Sequence, residues 1–217
     1  MSTTRRLPMF PLGSPLLPGE VVPLRIFEPR YVAMIGDIAA ATGEFGVVLI
    51  ARGREVGGGD ERHSVGTVAK LLHAGELRHG PDGRHLTATA LGTHLLRVDR
   101  WLPEDPYPVA DVVELDGAAG DLAVSDAMAE RLADLAVGVR RAYALASELG
   151  ADTSSVDLDL PAAPDAAAWR IGSLLPLGAH DRHRLLEAEG PEERLELAER
   201  LIDETVEMLT MRLAAGE

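Results

Sequence analysis

The chain has 217 residues, 46% hydrophobic, 26% charged and only 4% aromatic, with a formal net charge of −14. This is a soluble balance whose core must rest on Leu, Val, Ile and Ala. The absence of cysteine removes disulfides, thiolate nucleophiles and cysteine-based zinc sites, and the acidic excess argues against nucleic-acid binding, which draws most of its affinity from a basic face. Prolines at 8, 11, 15 and 18 interrupt the N-terminal stretch, so it does not read as a signal peptide. No run approaches the ~20 apolar residues of a membrane span. The expectation is a soluble, cytoplasmic protein.

In chain order, "RRLPMFPL" predicts an opening strand and "EVVPLRIF" a second, whose prolines favour an edge or a bend. Pro29 suits the first position of a helix and Glu28 its negatively charged start. That helix runs to about Thr42, with Tyr31, Met34, Ile35 and Ile38 as its apolar stripe and Gly43 as its stop. "FGVVLIA" (45–51) reads as a strand buried on both faces, and 54–64 as a loop. Residues 65–77 and 84–92 flank "HGPDG" as a hairpin; 93–102 and 109–115 are further strands. About six strands with one embedded helix predict a small, partly closed β barrel.

The composition shifts near residue 117. Residues 1–116 carry 12 basic and 15 acidic side chains, a net of −3, whereas 117–217 carry 9 and 20, a net of −11. Ser125 is the expected N-cap of a helix to Leu149, with Met128, Leu132, Leu135, Val139, Ala142, Ala146 and Leu149 at helical spacing. A polar linker follows. Asp165 is the expected cap of a second helix carrying Trp169 and Leu174, a third spans about 180–188, and a long fourth begins at Pro191. Leu195, Ala198, Ile202, Val206, Leu209 and Leu213 form its single stripe, which predicts a helical bundle with acidic outer faces.

The stretch "LPMFPLGSPLLPGEVVPLRIFEPRYVAMI", followed by "GEFGVVL", "VGTVAKL", "DGR" and a "PY" before the last strand, resembles the N-terminal, substrate-binding domain of Lon proteases. The C-terminal "SLLPLGAHDRHRLLEAEGPEERLELAERLI" is similar to the helical follow-on of that family. The resemblance covers about 7–210, and its specific part is the cluster from "FPL" to "PLRIFEPRY". It implies an α+β fold: a PUA-like β barrel with an embedded helix over 1–116, then an α-helical bundle over 117–217. One departure is Gly92-Thr93-His94-Leu95, where many relatives have a Gly-Arg-Arg-Phe type stretch. The sequence also holds no GxxxxGK[ST] phosphate loop, so the chain reads as a free-standing recognition domain without ATPase and peptidase modules.

"RIFEPRY" poses the sharpest choice between chemistry and architecture. Adjacent arginines favour the charged form of Glu28, the wrong tuning for a general acid. The preferred reading is therefore a structural joint, with Glu28 as a salt-bridge partner at the helix start and Phe27 and Tyr31 in the core. The resemblance adds that this corner is a candidate for contacting polypeptide, which makes Arg25, Phe27, Glu28, Arg30 and Tyr31 the candidate contact or joint residues. Elsewhere the bland readings are preferred. His180 and His183 have metal-ligand spacing, but Arg182 and Arg184 disfavour a cation, so solvated helix histidines are expected. The carboxylates of the last helix, interleaved with Arg194 and Arg200, read as a solvated face, and the glycine run 57–59 as a loop.

No catalytic, cofactor-binding or metal-binding residue is assigned. The only lysine, Lys70, serves a Ser-Lys hydrolase only if the fold brings it to a serine. The expected function is non-catalytic recognition of unfolded or extended polypeptide segments, for which an open barrel edge offers strand addition, with a protease or chaperone as a further partner. The stripe at 195–213 leaves a homo-oligomer open. Two alternatives stand beside this: a hydrolase or peptidase with an unrecognised site, and RNA binding on a basic face built from Arg25, Arg30, Arg52, Arg54, Arg78 and Arg84.

Overall fold

The computed structural model describes residues 4–52, 61–80, 83–115, 125–153 and 156–216, with side chains for all of these but 76–80, 83 and 84. The chain forms two compact units, Met1–Gly117 and Ala118–Glu217. No helix among the described residues is long and apolar enough to cross a membrane.

The first unit contains β1 (Thr4–Leu12), β2 (Val21–Ile26), α1 (Pro29–Ala40), β3 (Glu44–Arg52), β4 (Glu61–Gly80), β5 (Gly83–Trp101) and β6 (Val109–Leu115). β1 pairs with β3 in parallel and with β6 antiparallel. β3–β4, β4–β5 and β5–β6 continue antiparallel, which closes β1, β3, β4, β5 and β6 into a ring. β2 stands outside that ring, on the N-terminal half of β5, with Val21 to Ile26 opposite Leu91 to Leu86. The architecture is α+β, as expected. One core cluster gathers Phe10, Phe45, Tyr31, Met34, Ile35 and Ile38; the rings of Phe10 and Tyr31 lie 4.4 Å apart. A second cluster holds Leu7, Met9, Val68, Leu96 and Val112.

Two expectations change here. The segments 84–92 and 93–102 are one continuous strand rather than two, because Gly92 does not break it. Thr93 is instead the extra residue of a bulge, since Val68 faces His94 and Ala69 faces Gly92, and the Thr93 hydroxyl donates to the Val68 carbonyl at 2.8 Å. Glycine is required at 92 for a different reason. A Cβ there would lie 2.3 Å from the Leu17 carbonyl oxygen, where the "LLPG" segment crosses the strand. The predicted loop 54–64 is also too long. Arg62 faces Ile50 and Glu61 faces Arg52, so β4 has begun by Glu61; residues 53–60 lie outside the described residues.

The second unit holds α2 (Asp126–Glu148), α3 (Pro164–Leu174), α4 (Ala179–Glu187) and α5 (Pro191–Ala215). Ser125 caps α2 as expected, its hydroxyl accepting from the Met128 N–H at 3.2 Å. A Cβ on Gly138 would meet Ile202 Cγ2 at 2.6 Å, so a residue without a side chain lets α2 approach α5. The helix α3 starts two residues earlier than predicted. Ala163 is its N-cap, Pro164 its first residue, and Asp165 lies in its first turn.

Asp165 accepts from the Trp169 indole at 3.1 Å and from Arg194. Arg194 is not on a solvated face. It is 3% exposed, donates to the Leu185 and Ala188 carbonyls at 3.0 and 3.1 Å, and lies 4.2 Å from the centre of the Trp169 ring. The carbonyls at the end of α4 need donors, and this guanidinium supplies them. His183 likewise departs from the expected solvated histidine. It is 2% exposed, with Nδ1 3.4 Å from Glu187, because it lies one turn from Leu186 on the buried side of α4, while His180 in the first turn is exposed.

Candidate functional site

The sequence of β2 alternates in burial. Leu24 and Ile26 are buried and Val22 half-buried, while Val21, Pro23 and Arg25 are exposed, as is Phe27 just past the end of the strand. The period of two along a strand requires this once Leu24 and Ile26 enter the core. It also corrects the expectation for Phe27, which is 50% exposed rather than buried.

The backbone phase of β2 follows from one bond. The Gly92 N–H donates to the Glu20 carbonyl at 2.9 Å, and with Val21 opposite Leu91 the main-chain groups of 22, 24 and 26 turn toward β5. Those of 21, 23 and 25 turn away. Among the described residues that outer edge pairs with no strand. Pro23, which has no N–H to donate, falls on the open side, where proline costs no ladder bond. The open edge thus offers N–H groups at Val21 and Arg25 and carbonyls at Val21, Pro23 and Arg25.

The exposed side chains of β2 continue across the outer face of β5 and β4 in rows set by the register. Val21 faces Leu91 and then Lys70; Pro23 faces Thr89 and then His73; Arg25 faces Thr87 and then Gly75. Phe27 meets the His85 ring edge-on at 6.4 Å. Leu72, 54% exposed, stands at the bulge beside His73. The Arg25 row ends at Gly75, where an added Cβ would lie 3.3 Å from His73 Nε2 and 3.8 Å from Thr87 Oγ1, and it runs between the Phe27–His85 and Pro23–Thr89–His73 rows. Arg25 has no ion pair or hydrogen bond among the described residues. Lys70, at the far margin, is partly committed: its ammonium donates to the Thr42 carbonyl at 2.6 Å and lies 3.8 Å from Glu44. Glu44 in turn accepts from Arg5 at 2.8 Å, and that hydrogen bond holds its carboxyl below the usual range.

The five residues singled out from the sequence therefore divide. Glu28, Arg30 and Tyr31 lie together at the start of α1. Glu28 is the N-cap position of α1, with Pro29 following; Arg30 pairs with Glu28 at 3.1 Å and with Glu104 at 3.5 Å; its guanidinium lies 4.6 Å from the ring of Tyr31, itself 4% exposed. Arg62 completes the network, 2.7 Å from Glu104 and 4.5 Å from the Trp101 ring. Arg25 and Phe27 are the two that point outward. The other face residues, Val21, Pro23, Leu72, Thr87 and Thr89, escaped the sequence reading. The alternation of "VVPLRIF" held a signal for the first two, since a proline inside a strand marks an open edge. The rest depend on the pairing register, for which a single sequence holds no local signal.

The geometry speaks to both alternatives. Among the described residues the Lys70 ammonium bonds a backbone carbonyl and neighbours a carboxylate, with no serine hydroxyl as its hydrogen-bond partner. Of the six arginines proposed for a basic face, Arg30 is neutralised by two carboxylates. Arg54 lies outside the described residues, as do the side chains of Arg78 and Arg84.

A family profile for the ATP-dependent protease La (LON) substrate-binding domain matches residues 6–204. The chain belongs to this family. A crystal structure of a Lon N-terminal domain protein from Xanthomonas campestris matches with a TM-score of 0.62 and 29% identity, over 88% of this chain and 95% of that one. The N-terminal domain of a Mycobacterium avium complex Lon protease matches with a TM-score of 0.65 at 19% identity, over 92% and 98%; at that identity the likeness is one of fold. A comparison with curated proteins returned no match. Membership of the Lon substrate-binding family agrees with the resemblance seen in "PLRIFEPRY" and with the α+β architecture.

Proposed function

We propose that this Lon-type domain is a non-catalytic polypeptide-recognition protein that takes extended, exposed segments of other proteins on the open edge and outer face of β2. The observation that carries the reading is the run Val21, Pro23 and Arg25, exposed on a strand whose outer edge is unpaired among the described residues, with exposed Phe27 directly after it. An extended chain laid there gains main-chain hydrogen bonds, which tolerate many sequences, and contact with apolar side chains. Both suit recognition of unfolded chains. The family supports the substrate class. The commitment of Lys70 to Thr42 and Glu44 supports the absence of a Ser-Lys centre. Delivery to a protease or holding of unfolded chains in the cytoplasm is the role this reading assigns.

The test is a titration of the purified protein against a casein-like unfolded chain and a folded control, repeated with Phe27→Asp. The expected result is binding of the unfolded chain alone, weakened at least about fivefold by the variant, as for loss of one exposed apolar anchor. Equal binding of the unfolded chain by both proteins overturns the assignment to this face, and no binding at tens of micromolar overturns the function.

A further inference from the structure

Resting on that reading, we infer that the segment favoured by this face alternates apolar and acidic side chains, in the pattern apolar–x–acidic–x–apolar, with its carboxylate on Arg25. The argument starts from charge. The protein carries a net charge of −14, yet the described side chains in the rows from β2 across β5 to β4 include no carboxylate. They are Val21, Pro23, Arg25 and Phe27 with the threonines, histidines, Leu72, Leu91 and Lys70 behind them. Among the acids with described side chains, the one in register with these rows is Glu44 on β3 opposite Lys70, and it is taken up by Arg5 and Lys70. Arg25 is thus an exposed cation with no counter-ion among the described residues, bordered by exposed Pro23 on its own strand and by exposed Phe27 just past the strand's end.

A strand added along the open edge of β2 places every second side chain on this same face, because successive residues alternate. The positions opposite Pro23, Arg25 and Phe27 are then i, i+2 and i+4 of the incoming segment. Opposite Pro23 and Phe27 an apolar side chain is favoured. Opposite Arg25 a carboxylate is favoured, since the guanidinium presents a planar fork to both of its oxygens, and directly opposed unlike charges stabilise a strand pair where like charges oppose it. The pattern is palindromic, so it holds for parallel and antiparallel addition alike. At the far end of the Arg25 row a Cβ on Gly75 would stand 3.3 Å from His73 Nε2 and 3.8 Å from Thr87 Oγ1, so the incoming carboxylate is met over Arg25 itself and not over Gly75.

The experiment uses the full chain and three labelled nine-residue peptides, identical but for a central Glu, Gln or Lys flanked at i−2 and i+2 by Val and Leu, read by fluorescence anisotropy at low and moderate salt. A labelled oligouridine is included. Binding is expected in the order Glu, Gln, Lys, with roughly a tenfold span between the first and last that narrows as salt rises. Arg25→Glu is expected to invert the order. Equal binding of the three peptides, or an order that Arg25→Glu leaves intact, overturns the acidic preference while leaving polypeptide recognition standing. Binding of casein without binding of any peptide also overturns this inference alone. Failure of casein and peptides together removes the reading beneath it, and tighter binding of the oligouridine than of the Glu peptide replaces the partner class.

Discussion

Arg25 in the barrel unit stands among apolar neighbours in sequence, "PLRIF", and Arg194 in the helical unit among acidic ones, "EERLEL", yet the fold exposes the first and buries the second. Arg194 is 3% exposed and spends its donors on Asp165 and on two carbonyls at the end of α4, with Trp169 beneath it. Arg25 is exposed and has no partner among the described residues. A buried guanidinium is tolerable only when its donors are met and its charge is matched; an exposed one is solvated and keeps its donors available. The difference separates an arginine that holds a unit together from one that is available to a partner.

The largest test of that contrast is Arg194→Ala. It leaves Asp165 without its cation and uncovers the Leu185 and Ala188 carbonyls, and the expected loss is about 3–5 kcal/mol in urea unfolding of the helical unit. A loss below about 1 kcal/mol, the range of an exposed pair, would erase the distinction. Thr67→Val comes next. Thr67 is fully buried and its hydroxyl donates to the Leu16 carbonyl at 2.6 Å, so this near-isosteric change should cost the barrel about 1–3 kcal/mol by leaving an acceptor unmet.

Smaller still is the pH dependence carried by Glu44. Its folded-state pKa is depressed below the ordinary 4.5, chiefly by the Arg5 hydrogen bond. Its contribution is therefore complete above pH 4.5 and disappears as pH falls through the folded value. Unfolding followed from pH 6 to about 3 should show a steeper loss of barrel stability in the native protein than in Glu44→Gln, and parallel curves would sink the assignment. The smallest effect is expected at the binding face, where Arg25→Ala should shift stability by no more than about 0.5 kcal/mol while weakening peptide binding. A large destabilisation would make Arg25 structural and collapse its contrast with Arg194.

Much of this was legible locally. The apolar stripe of α1 at Tyr31, Met34, Ile35 and Ile38 is buried as read, and Ser125 caps α2, because helix period and capping are properties of a few consecutive residues. Errors came where a residue had two local meanings. Phe27 reads as core by type, but parity with Leu24 and Ile26 sends it outward. Gly92 reads as a strand end, but it is a crossing point for Leu17 within a strand that continues. Arg194 and His183 read as solvated because they stand among charges, whereas their helices turn them inward.

By itself the sequence determined the class of each element, the family through "FPL" to "PLRIFEPRY", and the acidic, cysteine-free character of the chain. These follow from composition and from spacings of a few residues, which local sterics and solvation convert directly into structure. Tertiary structure alone decided that β2 lies outside the closed ring, that Arg25 keeps no counter-ion among the described residues while Arg30 acquires two, and that Thr87, Thr89 and Leu72 join one face. Such outcomes depend on which distant strands pair and in what register, and that choice is settled by the whole core packing at once.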